Sequence, residues 1–328
     1  MLINCLPFVL DTRLTLIWAG LIRWGIVIHG FIDGYSRLVT GLRASNNNRG
    51  STVLELFLQA AHQYGVPSRL RGDHGVENIL VAAWMEHYKG VRRGSYIWGR
   101  YDSLSLNLPM YLVIKSSCPQ YRSVHNVRIE RLWVDVTAMF GAKWSEFFTL
   151  LELHHGLNIN NPNHIWLLHE LFLHEVNRDA DDFAIGWNHH VVQVTGGSHR
   201  TPADMFGFDM IALGVRGEAL PEENLSEQEL AEYGVDWQDL RDEHVLSSQL
   251  QNNDHNEGTT SWVGRVGPPP NLNEVAVHPP EGSMTVEQVY QLHHYLSPYQ
   301  AEHPDPDVLA QWWRIGLAFA QACSPVFL

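Results

Sequence analysis

Two acidic residues, Asp73 and Glu130, occupy positions at which a function would explain a carboxylate. Asp73 follows an extended, apolar-flanked segment and enters a glycine-flanked turn, and Glu130 lies in a predicted helix close to Arg128 and Arg131. If the fold brings the two carboxylates together, they can hold Mg²⁺, a hard cation that prefers oxygen ligands. This ion supports phosphoryl transfer by activating the attacking oxygen and neutralising the leaving oxygen. An ordinary turn and an ordinary helix-surface charge are the alternative interpretation of these two residues.

The segments around these carboxylates predict a mixed α/β sheet with helices packed on it. The stretch 26–44 contains two β-rich runs joined at Asp33-Gly34, a dipeptide that favours a tight hairpin turn. We therefore interpret Asp33 as a turn residue rather than as a third catalytic carboxylate. Apolar periodicity predicts three helices, over 51–65, 79–88 and 123–140. A β-rich composition predicts one further strand over 94–99.

Charge is distributed unevenly along the chain. The net charge is −14, but residues 1–150 carry a net charge of +6 and residues 151–328 one of −20. The basic half can meet a polyanion, whereas the acidic half would be repelled by it or would cover the basic surface in its absence.

Composition indicates a globular protein inside the cell. The N-terminus lacks the features of a secretory signal, and the apolar run 14–32 is interrupted by Arg23 and His29, so neither export nor a membrane span is expected. Three widely spaced cysteines suggest neither a disulfide framework nor a cysteine-based zinc site.

Three stretches in a fixed order resemble the integrase core-domain proteins of fungi and animals. They are "LIRWGIVIHGFIDGYSRLVTGLRASNNNRGSTVLELFLQAAHQYGVPSRLRGDHGVEN", "SVHNVRIERLWVDV" and "FAIGWNHHVVQVTGGSHRTPADMF". This group belongs to the superfamily of retroviral-type integrases and DDE transposases. The resemblance implies an RNase H-like fold over residues 21–195, and metal-dependent DNA cleavage and strand transfer. It also implies Mg²⁺ or Mn²⁺ as cofactor, DNA as partner, a homo-oligomer as one option, and a nuclear or other intracellular location.

Proteins of this family bind two divalent metal ions through two aspartates and one glutamate. The resemblance places the second aspartate on Asp73 and the glutamate on Glu130, which are 57 positions apart, more than the family spacing. Removing residues 101–122, which do not fit their neighbours, leaves 35 positions, so we predict an insertion there. The first aspartate falls on Leu16, which cannot ligate a metal ion. Asp11 lies five residues too early to replace it unless the first strand shifts.

The missing aspartate leaves three hypotheses open. The chain is an integrase-derived or transposase-derived protein with impaired catalysis, or a catalytically inactive, domesticated nucleic-acid-binding module. A third hypothesis is that segments 1–20 and 101–122 are artefacts of the gene model.

Side chains of the predicted helix 123–140 are candidates for DNA binding. Asn126 lies one helical turn before Glu130, and Arg128 and Arg131 can donate to phosphates. The alternative for the arginines is a solvated helix face that pairs with Glu130 or Asp135.

Beyond the core we predict three further segments, and residues 1–20 form an atypical N-terminal segment before it. Composition indicates an acidic helical extension over 196–245, a disordered linker over 246–282, and helices over 283–328. The last helices have capping candidates in Thr285 and in Asp305 or Asp307.

Overall fold

The computed structural model describes residues 8–11, 19–72, 75–90, 95–98, 127–192, 199–213, 272 and 276–328. Leu16, Asp73, Asn126 and the predicted insertion 101–122 lie outside the described residues, as do most of the acidic extension and of the predicted linker. Arg128 and Glu130 are described only in their backbone.

Within these residues, five strands form one mixed sheet in the order β3-β2-β1-β4-β5. The strands are β1 (Phe8–Asp11), β2 (Val27–Asp33), β3 (Val39–Ser45), β4 (Leu70–Gly72) and β5 (Tyr96–Trp98). Strands β3, β2 and β1 pair antiparallel, and β1, β4 and β5 pair parallel. The mixed sheet that the sequence predicts is confirmed.

The first strand lies earlier in the chain than the resemblance predicts. β1 ends at Asp11, and the next described segment, Ala19–Ile22, is a short helix, α1. β1 pairs with β2 so that Phe8 is opposite Asp33 and Asp11 is opposite Gly30. The N-terminal segment therefore supplies the central strand of the sheet, and Asp11 is the last residue of that strand.

The hairpin between β2 and β3 differs from the predicted tight turn. Five residues, 34–38, connect the strands, and the positive φ of 63° occurs at Arg37 rather than at Gly34. The buried carboxylate of Asp33 accepts hydrogen bonds from the Ser36 amide at 2.8 Å and from the Ser36 hydroxyl at 2.7 Å. The two-residue turn is wrong because this carboxylate stabilises a wider loop.

Helices flank the sheet, as predicted, and the structure places them on both of its faces. They are α2 (Gly50–Tyr64), α3 (Ile79–Lys89), α4 (Val127–Val136), α5 (Ala142–His154), α6 (Pro162–His189), α7 (Pro202–Leu213), α8 (Val286–Leu296) and α9 (Pro306–Cys323). A single π-helical turn, Thr137–Gly141, joins α4 to α5. Thr285 caps α8 with a full capping box, and Asp305 rather than Asp307 caps α9.

Two hydrophobic clusters fill the space on the two sides of the sheet. Alternate residues of β2 divide between them, since Ile28 and Ile32 join the cluster with α4, α5 and α6, whereas Phe31 joins the cluster with α2 and α3. The C-terminal helices complete the first cluster: Trp313 of α9 is 0% exposed, and its indole nitrogen donates to the carbonyl oxygen of His155 at 2.8 Å. These helices are thus part of the core.

In the described part of the chain, the helices are too short or too polar for any of them to cross a bilayer.

Candidate active site

The carboxyl ends of β1 and β4 lie side by side, and we call this end of the two strands the Asp11 edge. β1 and β4 are parallel neighbours, with Val9 opposite Arg71. Asp11 is the last residue of β1, and Gly72, the last residue of β4, is followed in the chain by Asp73. Because parallel neighbouring strands end at the same edge, Asp11 and Gly72, the residue that precedes Asp73 in the chain, both lie there.

The helix with Glu130 reaches the same edge. A Cβ atom placed on Gly30, the residue opposite Asp11, would lie 3.1 Å from the indole ring of Trp133, so α4 crosses the sheet at this point. Farther along, Phe140 lies near Ile32, toward the β2–β3 hairpin. The chain therefore runs from Trp133 toward the hairpin, and Glu130, one turn before Trp133, lies on the Asp11 side.

Asp33 lies at the other end of β1. It is opposite Phe8, three positions from Asp11, which corresponds to about 10 Å along a strand. Its carboxylate is occupied by the hairpin loop, so the turn-residue interpretation is confirmed.

Two buried polar residues that the sequence analysis did not single out lie next to this edge. Glu77 is 2% exposed, and its Oε2 accepts a hydrogen bond at 3.3 Å from the side chain of Asn48. Four positions separate Glu77 from Asp73 in "GDHGVEN". Glu77 is a charged residue between Gly75 and the apolar start of α3, and this pattern could have identified it from the sequence.

Two buried cations lie at β4, since Arg71 is its middle residue and Arg69 directly precedes the strand. Arg69 and Arg71 are both buried, and burial lowers the pKa of Arg71 to about 10. Arg71 therefore remains protonated at neutral pH and adds positive charge next to the edge where the carboxylates are expected.

Arg131 makes the contact that the alternative interpretation predicts. Its Nε lies 3.5 Å from the carboxylate of Asp135, one turn later on α4. Burial raises the pKa of Asp135, and the charge of Arg131 acts against that rise. An exposed pair of this kind contributes only about 0.3–0.5 kcal/mol, so a phosphate can replace Asp135 as the partner.

A cavity of about 810 Å³ lies at the far end of α4, between the hairpin loop, the π-helical turn and the end of α6. Its lining combines an apolar floor with the ion pair of Lys143 and Asp179, whose Nζ and Oδ2 atoms are 2.7 Å apart. The cavity lies near the amino end of β1, away from the edge at Asp11.

Among the residues that the structure describes, no group of three or more histidine, cysteine or acidic side chains is arranged to hold a metal ion. The residue types nevertheless fit a divalent cation, because Asp11 ends β1 and Asp73 directly follows β4 in the sequence, and carboxylate oxygens are ligands that such a cation prefers.

A comparison with protein families matches a model described as integrase core domain to residues 17–105 and 110–217, more than half of the chain. The gap between the matched ranges, 106–109, falls inside the segment 101–122, and the insertion stays a prediction. Asp11 precedes the matched range. Comparisons with curated proteins and with solved structures found no match.

Proposed function

The chain belongs to the integrase core-domain family, and from this premise we propose that it is an integrase-derived or transposase-derived protein that acts on DNA. Its reaction would be metal-dependent cleavage and strand transfer, with water or a DNA 3′-hydroxyl as nucleophile. The observation that carries this proposal is the shared edge at which β1 and β4 end and toward which α4 begins.

In this proposal Asp73 and Glu130 are the carboxylates that hold Mg²⁺ or Mn²⁺. Both residue types supply the hard oxygen ligands that these ions prefer. A bound divalent ion would activate the attacking oxygen and neutralise the leaving oxygen. The protein's own contribution is to fix the carboxylates on two strands and a helix, so that little rearrangement is needed when DNA binds.

We propose Asp11 as the third carboxylate, in place of Leu16. The support is the position of β1, whose last residue is Asp11, beside the end of β4. A third ligand matters because Mg²⁺ demands near-octahedral geometry and gives up its water molecules reluctantly.

Asn126, Arg128 and Arg131 would contact the DNA backbone beside this edge. Arginine donates two parallel hydrogen bonds to a phosphate and stays charged at any physiological pH. The excess of positive charge in residues 1–150 supports DNA rather than a neutral substrate. A nuclear or other intracellular location and self-association are parts of the same proposal.

A DNA-nicking assay with Mg²⁺ and with Mn²⁺ tests the three carboxylates separately. We expect the unaltered chain to nick DNA, and Asp11→Asn, Asp73→Asn and Glu130→Gln each to reduce nicking to background. Glu146→Gln, which changes an exposed carboxylate on α5, is the matched control and should retain activity. Leu16→Asp should add little if Asp11 already fills the position.

The second candidate is the inactive DNA-binding module, which Leu16 at the family's aspartate position favours. Under this candidate the unaltered chain binds DNA but does not nick it with either metal ion. Activity that appears only in Leu16→Asp, or only after residues 101–122 are deleted, would replace our assignment of Asp11. Transcript sequence across residues 1–25 and 99–124 tests the gene-model hypothesis directly.

A further inference from the structure

Two glycines bracket the chain segment that contains Asp73, and each of them lies against a buried polar side chain. Gly72 ends β4 before this segment, and Gly75 begins the described chain after it. A Cβ atom on Gly72 would overlap the hydroxyl of Tyr96, and a Cβ atom on Gly75 would overlap the carboxylate of Glu77. Only glycine permits such close approach at both places.

The carboxylate of Glu77 is held from the other side by Asn48, which lies two residues before α2. Its Oε2 accepts from Asn48 Nδ2 at 3.3 Å, and the amide of Asn48 in turn donates to the carbonyl oxygen of Val277 at 3.3 Å. The backbone of Glu77 also packs against α2, since a Cβ atom on Gly50 would lie 3.2 Å from its carbonyl oxygen. Glu77 thus links Gly75 to the chain segment that leads into α2.

Tyr96 holds the other side of the segment. It is buried on β5, opposite Leu70 of β4, and its hydroxyl reaches diagonally to Gly72. A buried carboxylate and a buried phenol are costly to place in a protein interior unless they are well partnered. Each of these two side chains places its polar group against one of the two glycines that flank Asp73 and His74 in the chain.

We propose that Glu77 is a positioning residue that fixes the backbone at Gly75, with Tyr96 fixing the backbone at Gly72, so that the two residues flanking Asp73 and His74 in the chain are held in place. This inference rests on the proposed function of Asp73 as a metal ligand. Glu77 acts through its contact with Gly75 and its hydrogen bond with Asn48, and it does not itself bind the metal ion. Supporting residues of this kind typically change metal affinity by about 10- to 100-fold when they are removed.

The test compares Glu77→Ala with Glu77→Gln in the full chain. Glutamine keeps the shape and an oxygen that can accept from Asn48, but it lacks the charge that a metal ligand would need. Mn²⁺ binding, followed by electron paramagnetic resonance of the free ion, should weaken about 10-fold or more in Glu77→Ala and stay near the unaltered value in Glu77→Gln. Glu146→Ala is the control for loss of a carboxylate, and Tyr96→Phe should weaken binding in the same direction as Glu77→Ala.

Hydrogen exchange provides a readout that does not depend on metal. Amides of the peptide 72–78 should exchange faster in Glu77→Ala than in the unaltered chain or in Glu77→Gln, with the rest of the sheet unchanged. Equal loss of Mn²⁺ binding in Glu77→Gln and Glu77→Ala would show that Glu77 is a ligand and would overturn the positioning role. Unchanged exchange and unchanged binding in Glu77→Ala would overturn it as well.

A different result would contradict the proposed function of Asp73 itself. If Asp73→Asn leaves Mn²⁺ binding unaltered, Asp73 is not a metal ligand, and the inference about Glu77 falls with it. If Asp73→Asn abolishes binding and Glu77→Ala does not weaken it, only the inference about Glu77 fails.

Discussion

At the scale of single residues, Asp33 and Asp11 lie at opposite ends of the pairing between β1 and β2. Asp33 is 0% exposed and its carboxylate accepts three hydrogen bonds from the loop that follows it, from the Tyr35 amide and from the amide and hydroxyl of Ser36. Asp11 stands at the other end of β1, where β4 also ends. The presence of an aspartate at a strand end therefore does not by itself identify a catalytic residue, since the hairpin loop accounts for Asp33.

Replacing Asp33 should affect stability and not metal binding. Asp33→Ala leaves the Ser36 amide and hydroxyl without their acceptor in a buried loop, which costs about 1–3 kcal/mol of the free energy of unfolding. Asp33→Asn keeps one carbonyl oxygen and should cost less. Urea denaturation measures the difference. If Asp33→Ala unfolds like the unaltered chain but no longer binds Mn²⁺, Asp33 is a metal ligand and the stability role is wrong.

At the scale of elements, side chains of α6 form hydrogen bonds with the edge strand β3. β3 is the last strand on its side, so one row of its backbone groups has no neighbouring strand within the described residues. Asn188 accepts from the Val39 amide at 2.7 Å and donates to the Val39 carbonyl at 2.9 Å, and Asn177 does the same for Ala44, with both distances 2.9 Å. Trp187 adds a bond to the carbonyl of Arg37 at 2.8 Å.

This arrangement gives the "WNH" stretch of the sequence a structural role. The side chains of Trp187 and Asn188 satisfy edge-strand groups that would otherwise be open to pairing with another chain. The stretch carries part of the family resemblance, yet its first two residues act on β3 and the hairpin, not on the Asp11 edge.

Variants of Asn188 test this role. Asn188→Ala leaves the amide and carbonyl of Val39 unpaired and should lower the free energy of unfolding by about 1–3 kcal/mol. Asn188→Asp can accept from the amide but cannot donate to the carbonyl, and it buries a charge, so it should be at least as destabilising. Asn160→Ala, in the exposed loop before α6, is the control. Thermal unfolding in which all three variants behave alike would contradict this role.

At the scale of the whole molecule, the acidic half contains two different parts. The C-terminal helices α8 and α9 are joined to the core through buried residues that include Leu292 and Trp313. In addition, Nε2 of His293 in α8 lies 2.7 Å from Oε1 of Glu170 in α6. Residues 218–271, in contrast, carry twelve acidic residues against two arginines and lie outside the described residues. Charge shielding of the basic half must therefore be tested without removing the helices that complete the core.

Deleting residues 218–271 should strengthen nonspecific DNA binding. The deletion removes ten net negative charges, and less repulsion should raise the affinity and make it fall more steeply with salt concentration. A fluorescence-anisotropy titration at several salt concentrations measures both effects. A chain of full length in which the acidic residues of 222–243 are changed to Gln and Asn is the matched control and should behave like the deletion. An unchanged affinity in both would mean that the acidic segment does not act on the DNA-binding surface.

The sequence by itself determined those parts of the protein whose pattern is local. Apolar periodicity predicted α2 and α3, and β-rich composition predicted β2 and β3. Thr285 predicted the start of α8, and the pair Asp305 or Asp307 predicted the start of α9, because each of these signals depends on neighbours a few positions away. The tertiary structure alone decided the position of β1, the width of the hairpin, and the place of Glu77 beside Gly75. Strand register and the burial of a carboxylate depend on residues far apart in the chain, and for that reason the position of Asp11 at the end of a strand between β2 and β4 follows only from the tertiary structure.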